Sequence, residues 1–278
     1  MKKALICLLA FIFICPPVLA KDLRVISLAP NLTEILFAIG LTEKEIVGLT
    51  NHCDYPEGVN KISKVGSLNT LSIEQIVSLK PDYVFSVGSE RSPLNARLKK
   101  VGLNVIAFSP ETIEGVLSCI LKIGKIVNRE KEARQVVDQM MSRLAKVKAK
   151  VRGIKDKQTV YLEIWSDPIT SCGKGSLVDD VITYAGGINI ANSVDTLYPA
   201  LSQEFIVNKN PDAIILGYMS GDPANTISVV MNRFGWHGVN AVKKKRIICD
   251  INPALFLRPG PRVIEGIEQI HNRLYGNK

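Results

Sequence analysis

The side chains best suited to chemistry are scattered, and their spacing matches none of several common catalytic motifs. Only three histidines occur, His52, His237 and His271, and no H-E-x-x-H places two of them on one helical face. Gly173-Lys174-Gly175-Ser176 lacks the spacing of a phosphate-binding loop, no G-x-G-x-x-G follows a strand pattern, and no G-x-S-x-G nucleophile elbow is present. A Ser/His/Asp triad would have to assemble from unrelated loops. These observations point away from an enzyme and give no reason to expect an intrinsic cofactor. What remains suits the holding of a ligand. His52 lies in Asn51-His52-Cys53-Asp54-Tyr55-Pro56, Trp165 precedes Ser166-Asp167-Pro168, Tyr198 precedes Pro199, and Phe256 sits in Ala254-Leu255-Phe256-Leu257. Arg258 and Arg262 bracket Pro259-Gly260-Pro261, and a guanidinium fork there suits an anionic or amide-rich ligand or, equally, a surface acid. A neutral imidazole is a common metal ligand, so His52 is a candidate contact to the metal of a bound chelate, set against the plainer reading of a solvated loop histidine.

The elements that would position these residues are legible from apolar patterning. Short apolar runs at residues 24–28, 46–49, 83–87, 104–108, 159–165, 213–216 and 246–249 read as buried strands, with helical patterns between them. That alternation predicts an α/β fold with parallel sheets covered on both faces. In such sheets ligands gather outside the carboxyl ends of the strands. The loops concerned are residues 29–31, 50–56, 88–93, 166–176 and 251–258, which makes Pro30, Asn31, His52, Tyr55, Trp165 and Arg258 candidate ligand contacts, joined by the loop aromatics Tyr198 and Phe256.

An internal repeat sets the domain organisation. Residues 71–85 (LSIEQIVSLKPDYVF) and 201–215 (LSQEFIVNKNPDAII) agree at seven of fifteen positions with an offset of 130. Each copy opens on a capping serine, Ser72 or Ser202, and closes its helix at Pro-Asp. Two copies imply a pair of similar lobes rather than a solenoid. Residues 130–151 contain neither Gly nor Pro and read as one rigid helix joining the lobes rather than a coiled-coil seam. The expected organisation is a first lobe at 21–128, a connecting helix at 129–152 and a second lobe at 153–278, with the ligand cleft between the lobes.

Residues 1–20 read as a cleaved signal peptide: Lys2-Lys3, an apolar run of about a dozen residues, then small residues at Val18-Leu19-Ala20. The expected product is a periplasmic monomer of 258 residues whose net charge falls from +9 to +7. Its lysines and arginines are dispersed, and the densest cluster, Lys243-Lys244-Lys245-Arg246, reads as a solvated turn, so no nucleic-acid partner is expected. Cys119 falls in an apolar helical pattern and should be buried. Cys172 and Cys249 both lie near strand ends of the second half and form a candidate disulfide in an oxidising compartment.

Taken in order, VISLAPNLTEIL (25–36), CDYP (53–56), LKPD (79–82), WSDP (165–168), AGGINIA (185–191) and RPGPR (258–262) resemble the periplasmic cobalamin-binding proteins of ABC importers, within a wider family that includes haem and siderophore binders. The resemblance runs from about Arg24 to the C-terminus. It implies two Rossmann-like lobes joined by a single long helix, limited hinge closure, and capture of a corrinoid (cobalamin or a precursor) for delivery to a membrane permease with its ATPase subunits. A haem or ferric siderophore is the alternative ligand. The family's cleft aromatics correspond here to His52, Leu68, Val87 and Tyr198. Its two permease-docking acids correspond to Glu74 and Glu204, which also occupy the same place in the two repeat copies.

Overall fold

Four strands built from Val, Ile, Leu and Phe form the first sheet: β1 (Val25–Ser27), β2 (Ile46–Leu49), β3 (Tyr83–Val87) and β4 (Val105–Phe108), all parallel in the order β2-β1-β3-β4. Parallel neighbours need crossovers, supplied by α1 (Pro30–Ala38), α2 (Ile73–Ser78) and α3 (Pro93–Lys100). The computed structural model from which this is read describes residues 22–219 and 223–276; the leader expected at residues 1–20 lies outside them. After α4 (Ile113–Ile126) and α5 (Glu130–Arg152) the chain enters the second lobe. There β5 (Thr159–Glu163), β8 (Ile188–Asn189), β9 (Ala213–Leu216) and β10 (Ile247–Ile248) form a second parallel sheet in the order β10-β9-β5-β8. Read from its other edge, this is the first lobe's order: second, first, third, fourth. A hairpin of β6 (Trp165–Ser166) and β7 (Ile169–Thr170) is added, together with α6 (Leu177–Tyr184), α7 (Gln203–Lys209), α8 (Pro223–Met231), α9 (Asn240–Lys243), α10 (Ala254–Leu257) and α11 (Val263–Tyr275).

The sequence repeat has a structural cause. The Ser72 hydroxyl accepts from the Gln75 amide and Ser202 from the Phe205 amide, so each serine satisfies an otherwise unpaired N–H at a helix start. Lys80 and Asn210, each one residue before proline, both adopt φ 46°, turning the chain out of the helix. Asp82 then accepts the Arg24 amide at 2.9 Å, and Asp212 accepts the Thr159 amide at 3.1 Å and hydroxyl at 2.8 Å. In both lobes the aspartate of Pro-Asp thus ties the third strand to the entrance of the first.

Helix α5 packs against α1 and α4 of the first lobe and against α6 and α11 of the second. Its buried stripe is Val137, Met140, Leu144 and Val147, each buried aliphatic side chain contributing about 1.5–3 kcal/mol. Arg129 pairs with Glu45 at one end, and Arg143 holds Glu268 of α11 through two hydrogen bonds of 2.6 and 3.0 Å. One apolar core runs through this joint from Val25, Leu49 and Phe85 of the first sheet to Val160, Leu162 and Ile215 of the second. The lobes are therefore fused along α5 and part only where their strands end.

Two local expectations differ from the structure. The turn expected at residues 29–31 is the first turn of α1, with Pro30 at a position whose missing N–H has no helical partner to lose. The strand expected over 159–165 stops at Glu163. The Ile164 amide bonds to the Thr170 carbonyl and the Ser171 hydroxyl to the Leu162 carbonyl, folding Trp165 into the hairpin.

Candidate functional site

Loops from the carboxyl ends of both sheets meet across a cavity of about 280 Å³ lined by Asp54 and Tyr55 from the first lobe and by Met219, Asn252, Arg258 and Arg262, among others, from the second. Exposed apolar side chains border the same ends. Tyr55 is 43% exposed, Leu68 38%, Trp165 60%, Tyr198 50% and Met219 57%, although each carries enough apolar surface to be buried in a core. In the first lobe the Asn51 amide bonds to the Gly66 carbonyl, setting the exposed His52 beside the turn that carries Leu68. In the second, Thr170 bridges to Ala200 while the Ser171 amide bonds to Pro199, so Trp165 and Tyr198 share one flap. The Trp165 indole donates to the Asp167 carbonyl at 2.7 Å, which fixes its orientation. Partial burial raises the Tyr198 phenol above its ordinary pKa, with a smaller contribution from the charge of Glu111, which follows β4 in the first lobe.

An ion-pair cluster closes one end of the cleft. Arg258 grips Asp54 with hydrogen bonds of 2.5 and 2.9 Å and reaches Glu34 at 3.4 Å. Arg262 grips Glu34 at 2.6 and 2.9 Å, and its guanidinium lies 3.7 Å from the centre of the Tyr55 ring. Both carboxylates come from the first lobe and both guanidiniums from the second. The hydrogen bond from Arg258 holds Asp54 below the ordinary carboxylate range despite partial burial, and the same bond raises Arg258. Behind the Tyr55–Arg262 stack lies a second cavity of about 440 Å³, bounded by Phe37 of α1, Val136 and Met140 of α5, and Pro261.

At the end of β5 the carboxylate of Glu163 is fully buried. Arg233 binds it through two hydrogen bonds of 2.5 and 2.6 Å, and the hydroxyls of Tyr161 and Tyr218 donate to it. Burial would depress the Arg233 pKa, but the hydrogen bonds and charge of Glu163 outweigh it and hold it above its ordinary value. Arg233 also lies over Trp236 at 4.7 Å. This anchored turn presents Phe234, which is 97% exposed.

A family model described as "periplasmic binding protein" matches residues 25–252. The chain belongs to this family. It is 34% identical over 259 residues to an uncharacterized ABC transporter substrate-binding lipoprotein of Bacillus subtilis, covering 91% of this chain and 80% of that one. It is 29% identical over 275 residues to the vitamin B12-binding protein of Salmonella typhimurium, with 98% of each chain covered. Among solved structures, a protein described as a possible iron-binding, periplasmic solute-binding protein from Staphylococcus epidermidis superposes with a TM-score of 0.80 at 29% identity, covering 91% of this chain and 98% of that one. Proteins of this class bind solutes and serve ABC transporters from outside the cytoplasm.

In this periplasmic binding protein the sequence candidates sort by burial. Tyr55 lines the cavity between the lobes, His52, Trp165 and Tyr198 are exposed on their loops, and Pro30 is half-buried at the start of α1. Asn31 is buried, its amide 3.5 Å from the Pro259 carbonyl of the opposite lobe. Arg258 is held by Asp54 and Glu34. Phe256 is not a cleft contact: α10 turns Ala254, Leu255 and Phe256 inward, and the ring is fully buried in the shared core. Nor do Cys172 and Cys249 form a disulfide, since all four described cysteines are free. Asn189 of β8 binds the Cys172 carbonyl, whereas Cys249 follows β10 at the opposite edge of the sheet. Strands about 4.8 Å apart put these edges roughly 14 Å from one another, beyond the reach of a bridge. No group of three or more His, Cys, Asp and Glu among the described residues is placed to hold a metal ion. Glu74 and Glu204 both lie exposed in the first turns of α2 and α7. The Glu204 carboxyl is held below its ordinary value by a bond to its own amide and by Ser202. Sequence reasoning missed Glu34, Asp54 and Glu163. The signal for Glu163 was an acid alternating with Tyr161 on one face of an apolar strand.

Proposed function

We propose that the mature chain acts as a monomer in the periplasm, captures a corrinoid between its lobes and delivers it to an ABC permease with its ATPase subunits. What supports this reading is a cavity shared by both lobes together with exposed apolar side chains, Tyr55, Leu68, Trp165, Tyr198 and Met219, on loops near their strand ends. A large, flat, amide-bearing macrocycle suits such walls, and a cleft already formed loses little freedom on binding. The end-to-end similarity to a vitamin B12-binding protein supports the same choice. His52 is assigned to the face of the chelate, near its metal. Pro30, Asn31 and Arg258 are assigned to the cleft floor, and Glu74 and Glu204 to the permease contact. The test is calorimetry and visible spectra after desalting with cyanocobalamin, cobinamide, haem and ferric siderophores. A 1:1 corrinoid complex of nanomolar Kd, about −12 kcal/mol, is expected. Tight binding of haem or a ferric siderophore without any corrinoid binding would replace this reading with the second one, which the similarity to a possible iron-binding protein favours.

A further inference from the structure

The cavity between the lobes contains two arginines, yet neither guanidinium is available to a ligand without loss. Arg262 is committed to Glu34, whose side chain is 2% exposed, and is stacked on Tyr55. Arg258 is different. Its side chain is 12% exposed and its partner Asp54 is 62% exposed, so one face of the pair is buried while the carboxylate that occupies the fork stands in solvent at the mouth. Asp54 comes from the loop after β2 and Arg258 from the segment between α10 and α11, so the pair spans the cleft. Within the cluster, two guanidinium charges meet two carboxylates and the formal charge is zero.

That arrangement has a consequence for ligand chemistry. A carboxylate side chain entering the cavity can reach the Arg258 fork only by expelling Asp54. It exchanges one charge-assisted pair for another and gains nothing net. Until it succeeds it stands next to a like charge, which is penalised in proportion to how little water separates them. A carboxamide pays neither cost: it can donate to the outer lone pairs of Asp54 or accept from a guanidinium edge while the pair stays intact.

Resting on the corrinoid reading above, we infer that Asp54 is a specificity-determining residue: an internal counter-ion that masks Arg258 and makes the cleft prefer an uncharged, amide-bearing chelate over a carboxylate-bearing one. The residue acts by charge and position. Asp54→Asn should unmask the fork, Asp54→Glu should keep it masked, and the buried Arg262–Glu34 pair should keep the lobes in register in both.

The experiment uses two corrinoids that differ in the relevant groups: cobinamide, whose side chains are amides, and cobyrinic acid, which carries carboxylates in their place. Binding of each to the wild type, Asp54→Asn and Asp54→Glu is measured by calorimetry, with circular dichroism to confirm folding. Asp54→Asn is expected to tighten cobyrinic acid on the order of tenfold while cobinamide moves less than about threefold, and Asp54→Glu should resemble the wild type. Equal change on both corrinoids, or none, overturns the role of Asp54 and leaves the corrinoid reading standing. A wild type that binds haem tightly and neither corrinoid overturns both, because haem carries two propionates. If the wild type binds neither the corrinoids nor haem, the corrinoid reading falls and haem becomes the probe. Gain of haem binding by Asp54→Asn then sustains the counter-ion role, and no gain ends it.

Discussion

The buried ion pair of the second lobe yields the sharpest quantitative expectation. Arg233→Met removes the guanidinium and leaves the Glu163 carboxylate, fully excluded from solvent, with only the hydroxyls of Tyr161 and Tyr218 as donors. Removing one member of a buried pair costs about 3–5 kcal/mol, because the remaining charge keeps its desolvation penalty and loses its compensation. The guanidinium over Trp236 adds about 0.5–2 kcal/mol to the loss. For a chain of this size each kcal/mol shifts the melting temperature by about 2–4 °C, so a fall of roughly 7–28 °C is expected. Glu163→Gln combined with Arg233→Met removes both charges, and a Gln oxygen still accepts from a tyrosine hydroxyl. The double variant should recover to within about 1–2 kcal/mol of the wild type. Urea titration followed by tryptophan fluorescence reports this directly, since Trp236 is fully buried and packs edge-on to Tyr161. A single variant that loses less than about 1 kcal/mol, or a double variant no more stable than the single, would refute the assignment of the pair as mutually compensating charges.

Other measurements address separate parts of the molecule. Burial pushes the Cys119 and Cys172 thiols up to about 12, so iodoacetamide at pH 8 should leave both unmodified in the native protein and label all four described cysteines after denaturation; rapid native labelling of either would contradict their burial. Asp54 is held below its ordinary value of 3.8, so its link to Arg258 should be complete above that value and be lost only as pH falls through a lower midpoint; a carboxyl shift in NMR titrating at or above 3.8 would show that the pair does not form in solution. His52→Ala should alter the visible spectrum of bound corrinoid, and an unchanged spectrum and affinity would return His52 to a solvated loop. Glu74→Ala with Glu204→Ala should leave ligand affinity unchanged and lower permease association by about tenfold, more at low salt; normal uptake in reconstituted vesicles would leave both as ordinary first-turn acids.

The parts of the fold readable from sequence were those where a local rule decides the outcome. Apolar runs bounded by turn residues gave β3 and β9 their observed limits, and an unbroken stretch of helix formers gave α5. Ile188–Asn189 was missed because two residues carry no period. The break after Glu163 was missed because the β-prone run continues through Trp165, and only hydrogen bonds from the later residues 170 and 171 end the strand. At the site, the strand-end rule drew attention to His52, Tyr55 and Trp165, whereas Tyr198 was read only from its place in a loop before Pro199. Phe256 was misplaced since a four-residue helix can turn an apolar side chain either way, and its direction is set by the core it meets. The partners of Arg258 and Arg262 were invisible because Glu34 and Asp54 lie more than 200 positions away in the chain.

The repeat itself indicates where the two lobes have been free to differ. Register aligns Ser27 opposite Phe85 and Leu162 opposite Ile215, so Ile26 and Leu28 of the first lobe correspond to Tyr161 and Glu163 of the second. On the same face of the same strand, one lobe carries two aliphatic side chains packed against Ile76, Val84 and Leu98, and the other carries a phenol and a buried acid. The features the copies share, the serine caps, the left-handed residue before proline and the strand-tying aspartates, hold helix starts and strand entrances. A turn or cap is set by backbone geometry that both lobes need alike. Strand exits are released from that constraint, and there each lobe faces the other rather than its own copy. Each lobe should therefore resist the other's residue at this position. Glu163→Leu leaves Arg233 without its acid, and Leu28→Glu places a carboxylate with no cation among the fully buried Val84 and Leu98. Hydrogen exchange of β9 amides in Glu163→Leu and of β3 amides in Leu28→Glu should each rise over the wild type, and unchanged protection of β9 in Glu163→Leu would show that the charge does not pin the second wall.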